Sequence, residues 1–426
     1  MVTNKIKFVV MFYMLTLIAA CYNGASYKDK IPPSTNGLAS QGDIPKNEVE
    51  LGRLLFHDVN LSRNRTQSCA TCHDPQHAFI DSRDNEAQRL GVSLGDDNIS
   101  IGFRNAPTIS YAKFSPTFSA LPDHAPKDDN GFIGGQFLDG RAADLAAQAG
   151  GPPLNPVEMN MPDKASVVSR IKENSMYVAA FKKFYGEDVF NNIDKAYLSM
   201  TKAIAEFEKT EQFAPFDSKW DRYLRGEYEL SFMESVGKGV FFSPNNSSCV
   251  NCHMINDDKA GIRNPRQTFT NYKYFNIGVP ENEALIEAIK QKGLHPEFIA
   301  NKDRGLFDNP QVNDERLKGK FKVPTLRNVA VTAPYMHNGV FKELRTVLEF
   351  YDFRGTPNGR ESRKINPETG KEWGETPFPS TIDHGKLAMQ KLDDGSIDAL
   401  ECFLRTLTDK RFEDKLPPLR EGLNCD

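Results

Sequence analysis

Residues 69–76 read "CATCHDPQ", in which Cys69 and Cys72 stand two residues apart and His73 follows directly. A redox dithiol, half of a zinc site and the anchor of a c-type haem all use such spacing. In the haem case two cysteines hold the porphyrin edge by thioethers and the next imidazole reaches the iron, so one helical turn supplies all three bonds. The pattern recurs as Cys249, Cys252 and His253. With 7 Cys and 8 His in 426 residues, chance predicts on the order of 0.002 such pentapeptides per chain, so two of them point to haem. A thioredoxin-like dithiol asks for a βαβ context, and no strong strand pattern flanks either motif. A four-cysteine zinc site would leave both adjacent histidines without a role. His73 and His253 are therefore expected to be the proximal ligands of two haems.

The chain around these motifs is 39% hydrophobic and 26% charged, the composition of a globular protein of two or three domains. Its net charge of -4 comes without a basic patch, which excludes a nucleic-acid partner. Residues 1–20 read as a signal peptide: Lys5 and Lys7 precede an apolar run too short to span a bilayer. "LIAAC" resembles a bacterial lipobox, which would make Cys21 the lipidated first residue of the mature chain. Ordinary signal cleavage with Cys21 incidental is the alternative. Residues 21–45 are polar and rich in Gly, Pro and Ser, as a tether would be. Export also changes what Cys402 and Cys425 mean, because they could pair in an oxidising compartment. Cys402 also lies in the apolar helical pattern "IDALECFLRTL", where a buried free thiol is equally at home.

"NIDKAYLSMTKAIAEFEKTE" (192–211) places Ile193, Tyr197, Met200, Ile204 and Phe207 on one helical stripe, and "SVVSRIKENSMYVAAFKKFY" (166–185) behaves alike. The remainder is rich in loops, with 30 Gly and 26 Pro. Residues 355–385 are turn chemistry throughout and are expected to form an exposed loop. The fold class expected is mainly α, with two cytochrome c-like domains, each carrying one covalently bound haem. The domains would be 46–214, peroxidatic, and 215–410, for electron transfer, with a boundary near "TEQFAPFD" and a tail, 386–426, that packs back on the first. No internal repeat is legible beyond the two haem motifs.

"LGRLLFHDVNLSRNRTQSCATCHDPQHAF" (51–79), "RNAPT" (104–108), "DGRAADLAAQAGGPPLNPVEM" (139–159), "FDSKWDRYLRGE" (216–227), "SCVNCH" (248–253) and "FKVPTLRNVAVTAPYMHNG" (321–339) together resemble the bacterial di-haem cytochrome c peroxidase family, which includes MauG, from about Leu51 to Leu407. The resemblance implies that hydrogen peroxide binds at the N-terminal haem on His73. Glu158 is then the distal carboxylate that shuttles a proton between the peroxide oxygens, and Gln148 and Pro152 occupy the other distal positions. It implies a calcium ion between the haems, held by Asn105 and by backbone oxygens of Thr332 and Pro334; oxygen ligands suit that hard cation. The C-terminal haem on His253 would relay electrons, with Tyr351 as its sixth ligand and Met336 as the rival.

Two departures stand out. The family commonly carries a tryptophan between its haems, in "FWDGRA"; here the stretch is "FLDGRA", with Leu138 in that place. The movable distal histidine of many members also lacks a counterpart: His77 is too close to the motif and Arg89 stands nearer the expected place, so the N-terminal haem should be open to peroxide from the start. The expected protein is an exported, periplasmic, lipid-anchored peroxidase fed by a small cytochrome c or cupredoxin, and a homodimer is compatible with it. One alternative is a MauG-like enzyme that oxidatively modifies a partner protein. A non-catalytic electron conduit is the other.

Overall fold

Asn47 starts the first helix by accepting a hydrogen bond from the Glu50 backbone at 2.9 Å, and with Glu48 and Glu50 in the first turn, against the positive helix end, α1 runs over Glu48–Phe56. The first haem motif is the single turn α2 (Cys69–Cys72). There follow α3 (Leu145–Ala149), α4 (Lys164–Lys172), α5 (Ser175–Tyr185) and α6 (Ile193–Glu208). The later half contributes α7 (Phe232–Phe242), the second haem turn α8 (Cys249–Cys252), α9 (Leu344–Gly355) and α10 (Asp394–Arg405). In this computed structural model residues 43–122, 131–243, 247, 249–254, 266–356 and 361–426 are described. Among them β structure amounts to two-residue antiparallel pairs, such as Tyr274–Phe275 with Phe321–Lys322, and isolated bridges. The fold is rich in helix and loop with little sheet.

Each half is organised by one close helix crossing at a glycine. A Cβ on Gly52 of α1 would lie 1.8 Å from the Ala203 carbonyl oxygen of α6, with Phe207 alongside. A Cβ on Gly237 of α7 would lie 1.8 Å from the Ala399 carbonyl oxygen of α10, with Phe403 alongside. The haem loops match as well. His73 Nδ1 faces Phe79 O and His253 Nδ1 faces Phe269 O, both at 3.1 Å. Thr108 Oγ1 donates to Ala78 O at 2.5 Å and Thr325 Oγ1 to Thr268 O at 2.6 Å. The structure therefore contains an internal repeat that the sequence reading denies. The repeat is carried by one glycine, one small residue and one phenylalanine per half, too sparse to register as sequence similarity.

Two core clusters follow from these crossings. The first runs from Leu51 through Tyr177, Met200 and Phe207 to Phe213, and takes in Phe412 from the far end of the chain. The second runs from Trp220 through Phe269 to Phe403 and Leu407. Burying each of Phe207 and Phe403 contributes about 1.5–3 kcal/mol. Gln41–Asp426 is one compact unit by its internal contacts.

Three local expectations change. The 166–185 stretch is two helices rather than one, because Asn174 ends α4 and caps α5 by accepting from Met176 N at 3.0 Å. Ile193 is 39% exposed, since it opens α6 before the helix reaches its partner. The 355–385 insert is also more than an exposed loop: it holds a small hairpin, Ile365–Asn366 with Lys371–Glu372. Its Trp373 is buried against Phe341, Phe350 and Phe353, because an indole supplies enough apolar area to draw a polar segment down onto α9. Cys402 and Cys425 form a disulfide, which ties the C-terminal tail to α10.

Candidate functional site

Ser68 N donates to Thr71 Oγ1 at 2.9 Å and starts the turn that carries Cys69, Cys72 and His73. His73 Nδ1, facing Phe79 O, directs Nε2 away from the loop, the arrangement by which proteins orient a histidine ligand and fix its tautomer. Burial lowers the pKa of His73 and keeps the ring neutral, as ligation requires. The same burial pushes the Cys72 thiol up to about 12 and that of Cys69 higher still, so neither is a thiolate nucleophile. Arg83 lies beside Cys72, its Nη2 3.4 Å from Sγ, and is paired with Asp81.

Glu158 sits on an irregular loop that follows α3. Gln148 lies in the last turn of α3 and Pro152 opens a 3-10 turn over Pro152–Leu154. Asn155 then receives the chain reversal, with Glu158 N donating to Asn155 O at 3.1 Å and Asn155 Nδ2 donating to Glu158 Oε1 at 2.8 Å. Among the described residues Glu158 Oε2 has no hydrogen-bond partner. Burial raises the Glu158 pKa above the ordinary glutamate range, while Arg141 and the Asn155 contact pull it back. The Glu158 charge in turn helps raise both motif cysteines, so the carboxyl acts electrostatically on the haem turn. Leu154 packs on the same cluster as Cys69 and Ala70.

Asp96, which the sequence reading passed over, fixes this distance. Its backbone N donates to Glu158 O at 2.7 Å, its Oδ1 accepts from Thr66 Oγ1 at 2.6 Å and its Oδ2 from Asn64 N at 2.8 Å. One buried aspartate thus clamps the approach to the haem motif against the Glu158 loop. Glu208 was missed as well. It ends α6 at 5% exposure, its Oε2 has no hydrogen-bond partner among the described residues, and burial pushes its pKa to about 8. It also raises Cys69. The signal lay in its place on α6, four residues after Ile204 and beside Phe207, where a charge interrupts the apolar stripe.

The second motif opens on a cavity of about 260 Å³ with mostly apolar walls. Cys249, Cys252, His253, Leu138, Asn105, Thr332, Pro334, Met336 and Tyr351 all line it, so the expected sixth ligand, its rival and the three calcium candidates share one space. Burial lowers the His253 pKa to about 4. Tyr351, on α9, is raised by burial and by Cys252 and Cys249, and among the described residues its hydroxyl has no hydrogen-bond partner. Met336 belongs to the wall packed on Val279, Phe341, Phe350 and Trp373. Asn105 Nδ2 donates to Pro334 O at 2.6 Å and Asn105 N to His337 O at 2.8 Å. Next to it Arg104 bridges Asp139 and Asp303, both under 3 Å, and locks the segment in place. Leu138 O accepts from Lys322 N at 2.8 Å.

Other expectations fall elsewhere. His77 Nδ1 lies 2.7 Å from Asp74 Oδ2 within the loop between His73 and Phe79, and Arg89 pairs with Asp84 on the surface. Cys21 and the whole of residues 1–42 lie outside the described residues, and no described helix is long and apolar enough to cross a membrane. The two cysteine pairs do not converge: among the described residues no three His, Cys, Asp or Glu side chains gather to hold a metal ion.

Methylamine utilization protein MauG of Paracoccus denitrificans (strain Pd 1222) is 47% identical to this chain over 87% of the chain and 90% of its own length. The family profile described as di-haem cytochrome c peroxidase matches residues 46–229. The chain belongs to the di-haem cytochrome c peroxidase family. Among its other relatives, the cytochrome c551 peroxidase of Pseudomonas aeruginosa PAO1 is 31% identical over 75% of each chain. The crystal structure of the diheme peroxidase BthA from Burkholderia thailandensis E264 superposes with a TM-score of 0.72 at 30% identity, covering 89% of this chain and 90% of that one. As a member of this di-haem family the protein is an oxidoreductase of the cytochrome c peroxidase type, and its two C-x-x-C-H turns answer to two c-type haems. The residues present fit them: two cysteines per turn, a neutral histidine with its second nitrogen held, and an apolar cavity beside His253.

Proposed function

We propose that this protein reduces hydrogen peroxide to water at the haem attached through Cys69, Cys72 and His73, with electrons relayed from the haem on Cys249, Cys252 and His253. Haem on His73 supplies the iron at which the O–O bond breaks. The chain supplies the proton traffic. Hydroxide leaves poorly unless it is protonated, so Glu158 Oε2 accepts the proton of the nearer peroxide oxygen and returns it to the farther one. A raised pKa suits a group that must both take and release a proton near neutrality. Gln148 and Pro152 frame the same loop, and Asn155 and Asp96 hold it. The observation that carries this reading is the half-buried Glu158 carboxyl, whose Oε1 is held by Asn155 while Oε2 has no hydrogen-bond partner among the described residues; its electrostatic effect on both motif cysteines supports it.

On the His253 side Tyr351 would hold the haem iron in preference to Met336, a reading supported by its hydroxyl on the cavity wall, which has no hydrogen-bond partner among the described residues. A phenolate donor favours ferric iron and lowers the reduction potential. Asn105 Oδ1 and the carbonyls of Thr332 and Pro334, which share the cavity wall, would hold a calcium ion. Half a turn of the Asn105 amide would set its oxygen beside Pro334 O, where Nδ2 now lies. The protein is exported to the periplasm, in keeping with the Cys402–Cys425 disulfide, and is anchored through Cys21.

The test is steady-state peroxide consumption by the di-haem holoprotein with a reduced small cytochrome c or cupredoxin as donor. Sustained turnover is expected. Turnover only in the presence of a co-expressed partner protein that gains oxygen or a crosslink would replace detoxification with protein modification, and no peroxide consumption at all would leave an electron conduit.

A further inference from the structure

The segment 105–111 joins the two haem turns in space. Thr108 Oγ1 bonds Ala78 O, one residue before the carbonyl that faces His73, while Asn105 through Thr108 line the cavity of His253. Tyr111 ends the segment at 1% exposure. On one side its backbone N donates to Phe213 O at 2.8 Å, and the Phe213 ring stacks on Phe79 at 4.4 Å between centroids. On the other side the Arg327 guanidinium lies over both the Tyr111 ring, at 5.2 Å, and the Phe269 ring, at 5.5 Å. Phe79 and Phe269 are the residues whose carbonyls face the two proximal histidines. Tyr111 is therefore the oxidisable ring midway along an unbroken chain of contacts from one haem turn to the other.

Its hydroxyl is equipped for electron loss. A phenol is readily oxidised near neutral pH only if its proton has somewhere to go, and Tyr111 Oη donates to Asp409 Oδ1 at 2.5 Å while accepting from Phe216 N at 3.3 Å. Asp409 is fully buried, and its Oδ2 accepts from Asn328 Nδ2 at 2.9 Å. Burial lifts the Asp409 pKa to about 6, which makes it a stronger proton acceptor than an ordinary carboxylate. Arg327 would resist removal of an electron from the ring, but it is paired with Asp221 through two bonds of 2.7 and 2.8 Å. Tyr111 is also held at φ 62°, a left-handed backbone conformation that is uncommon for a bulky residue. Leu138, on the wall of the His253 cavity, offers no oxidisable ring.

We propose that Tyr111, with Asp409 as its proton acceptor, is the redox relay between the two haem sites. One electron leaves the Tyr111 phenol for the peroxide-oxidised His73 side, the Oη–H bond breaks and the proton passes to Asp409 Oδ1. The phenoxyl radical is then reduced by one electron from the His253 side, and the proton returns to Oη. One electron has crossed and no proton has left the pair. The relay rests on the peroxidase reading above.

The test mixes ferric holoprotein with peroxide, freeze-quenches it and records EPR spectra beside the Soret band, in protein with natural or ring-deuterated tyrosine. Wild type is expected to show an organic-radical signal that narrows on tyrosine deuteration. Tyr111→Phe should lose that signal while the Soret change persists. Asp409→Asn keeps the phenol but removes the acceptor, and should lose it too; intact resting haem spectra report that each variant is folded. An undiminished tyrosine radical in Tyr111→Phe, or no tyrosine radical in wild type despite a Soret change, overturns the relay. No Soret change in wild type overturns the peroxidase reading instead.

Discussion

Replacing Glu158 by glutamine removes a base and leaves nearly everything else in place. The amide has the volume of the carboxylate, and its oxygen can still accept from Asn155 Nδ2, now at 2.8 Å from Glu158 Oε1. The Asp96 bond to the residue 158 carbonyl is a backbone contact and survives. If Glu158 only holds the loop, the loss is one side-chain hydrogen bond at most, about 0.5–1.5 kcal/mol, or about tenfold in rate. If it moves the peroxide proton, the loss is that of a general acid–base catalyst, about 10² to 10⁴ in rate, equivalent to about 3–5 kcal/mol. These ranges are far enough apart to decide. The assay is stopped-flow absorbance of the Soret band against peroxide concentration, in wild type and Glu158→Gln. The pH profile adds a second readout. Burial raises the Glu158 pKa, and the base form is lost as pH falls through it. The wild-type rate should therefore decline on the acid side from a pH above the ordinary glutamate range, and the variant should lack that limb. A variant within about tenfold of wild type, with the acid limb intact, refutes the reasoning.

Gly52→Ala and Gly237→Ala each push a methyl into a helix carbonyl, and each should cost about 1–3 kcal/mol by overpacking, read as a lower thermal midpoint of the holoprotein. Removing the Cys402–Cys425 disulfide, which closes a separation of 23 residues, should cost about 3 kcal/mol, read by denaturant unfolding of the double Ser variant. The buried Glu208 carboxyl keeps its proton in the folded state up to about pH 8, whereas in the unfolded chain it ionises near 4.3. Stability should therefore fall as pH rises between those values, by a few kcal/mol, and Glu208→Gln should flatten that slope in melts at pH 5 and pH 8. Tyr351→Met should raise the potential of the His253 haem in a spectroelectrochemical titration; an unchanged potential would remove Tyr351 from the iron.

The haem turns were fully legible in the sequence because their chemistry is contiguous: two thioethers and an imidazole come from five residues. The α6 stripe was legible from its periodicity at Tyr197, Met200, Ile204 and Phe207, whereas Ile193 at its start is exposed. Glu158, by contrast, is a lone acid after a proline in the sequence, and only the resemblance singled it out; its physical support comes from Asn155, three residues before it, and from Asp96 and the two cysteines, which tertiary structure alone brings near. Asp96 and Glu208 were invisible for a related reason, since an acid in a turn or at a helix end is ordinarily solvated. Trp373 hid inside a segment whose Gly, Pro and polar content argued for exposure. The repeat of Gly52 and Gly237 hid because close approach of two helices depends on a missing side chain, and an absence leaves no hydrophobic signature.

The central claim is that iron on His73 has an open coordination place beneath Glu158 while iron on His253 has both axial places filled. Low-temperature EPR of the ferric holoprotein, before and after one equivalent of peroxide, tests it most directly. The account predicts one high-spin and one low-spin signal at rest, with the high-spin signal consumed by peroxide. Two low-spin signals that peroxide leaves untouched would contradict it.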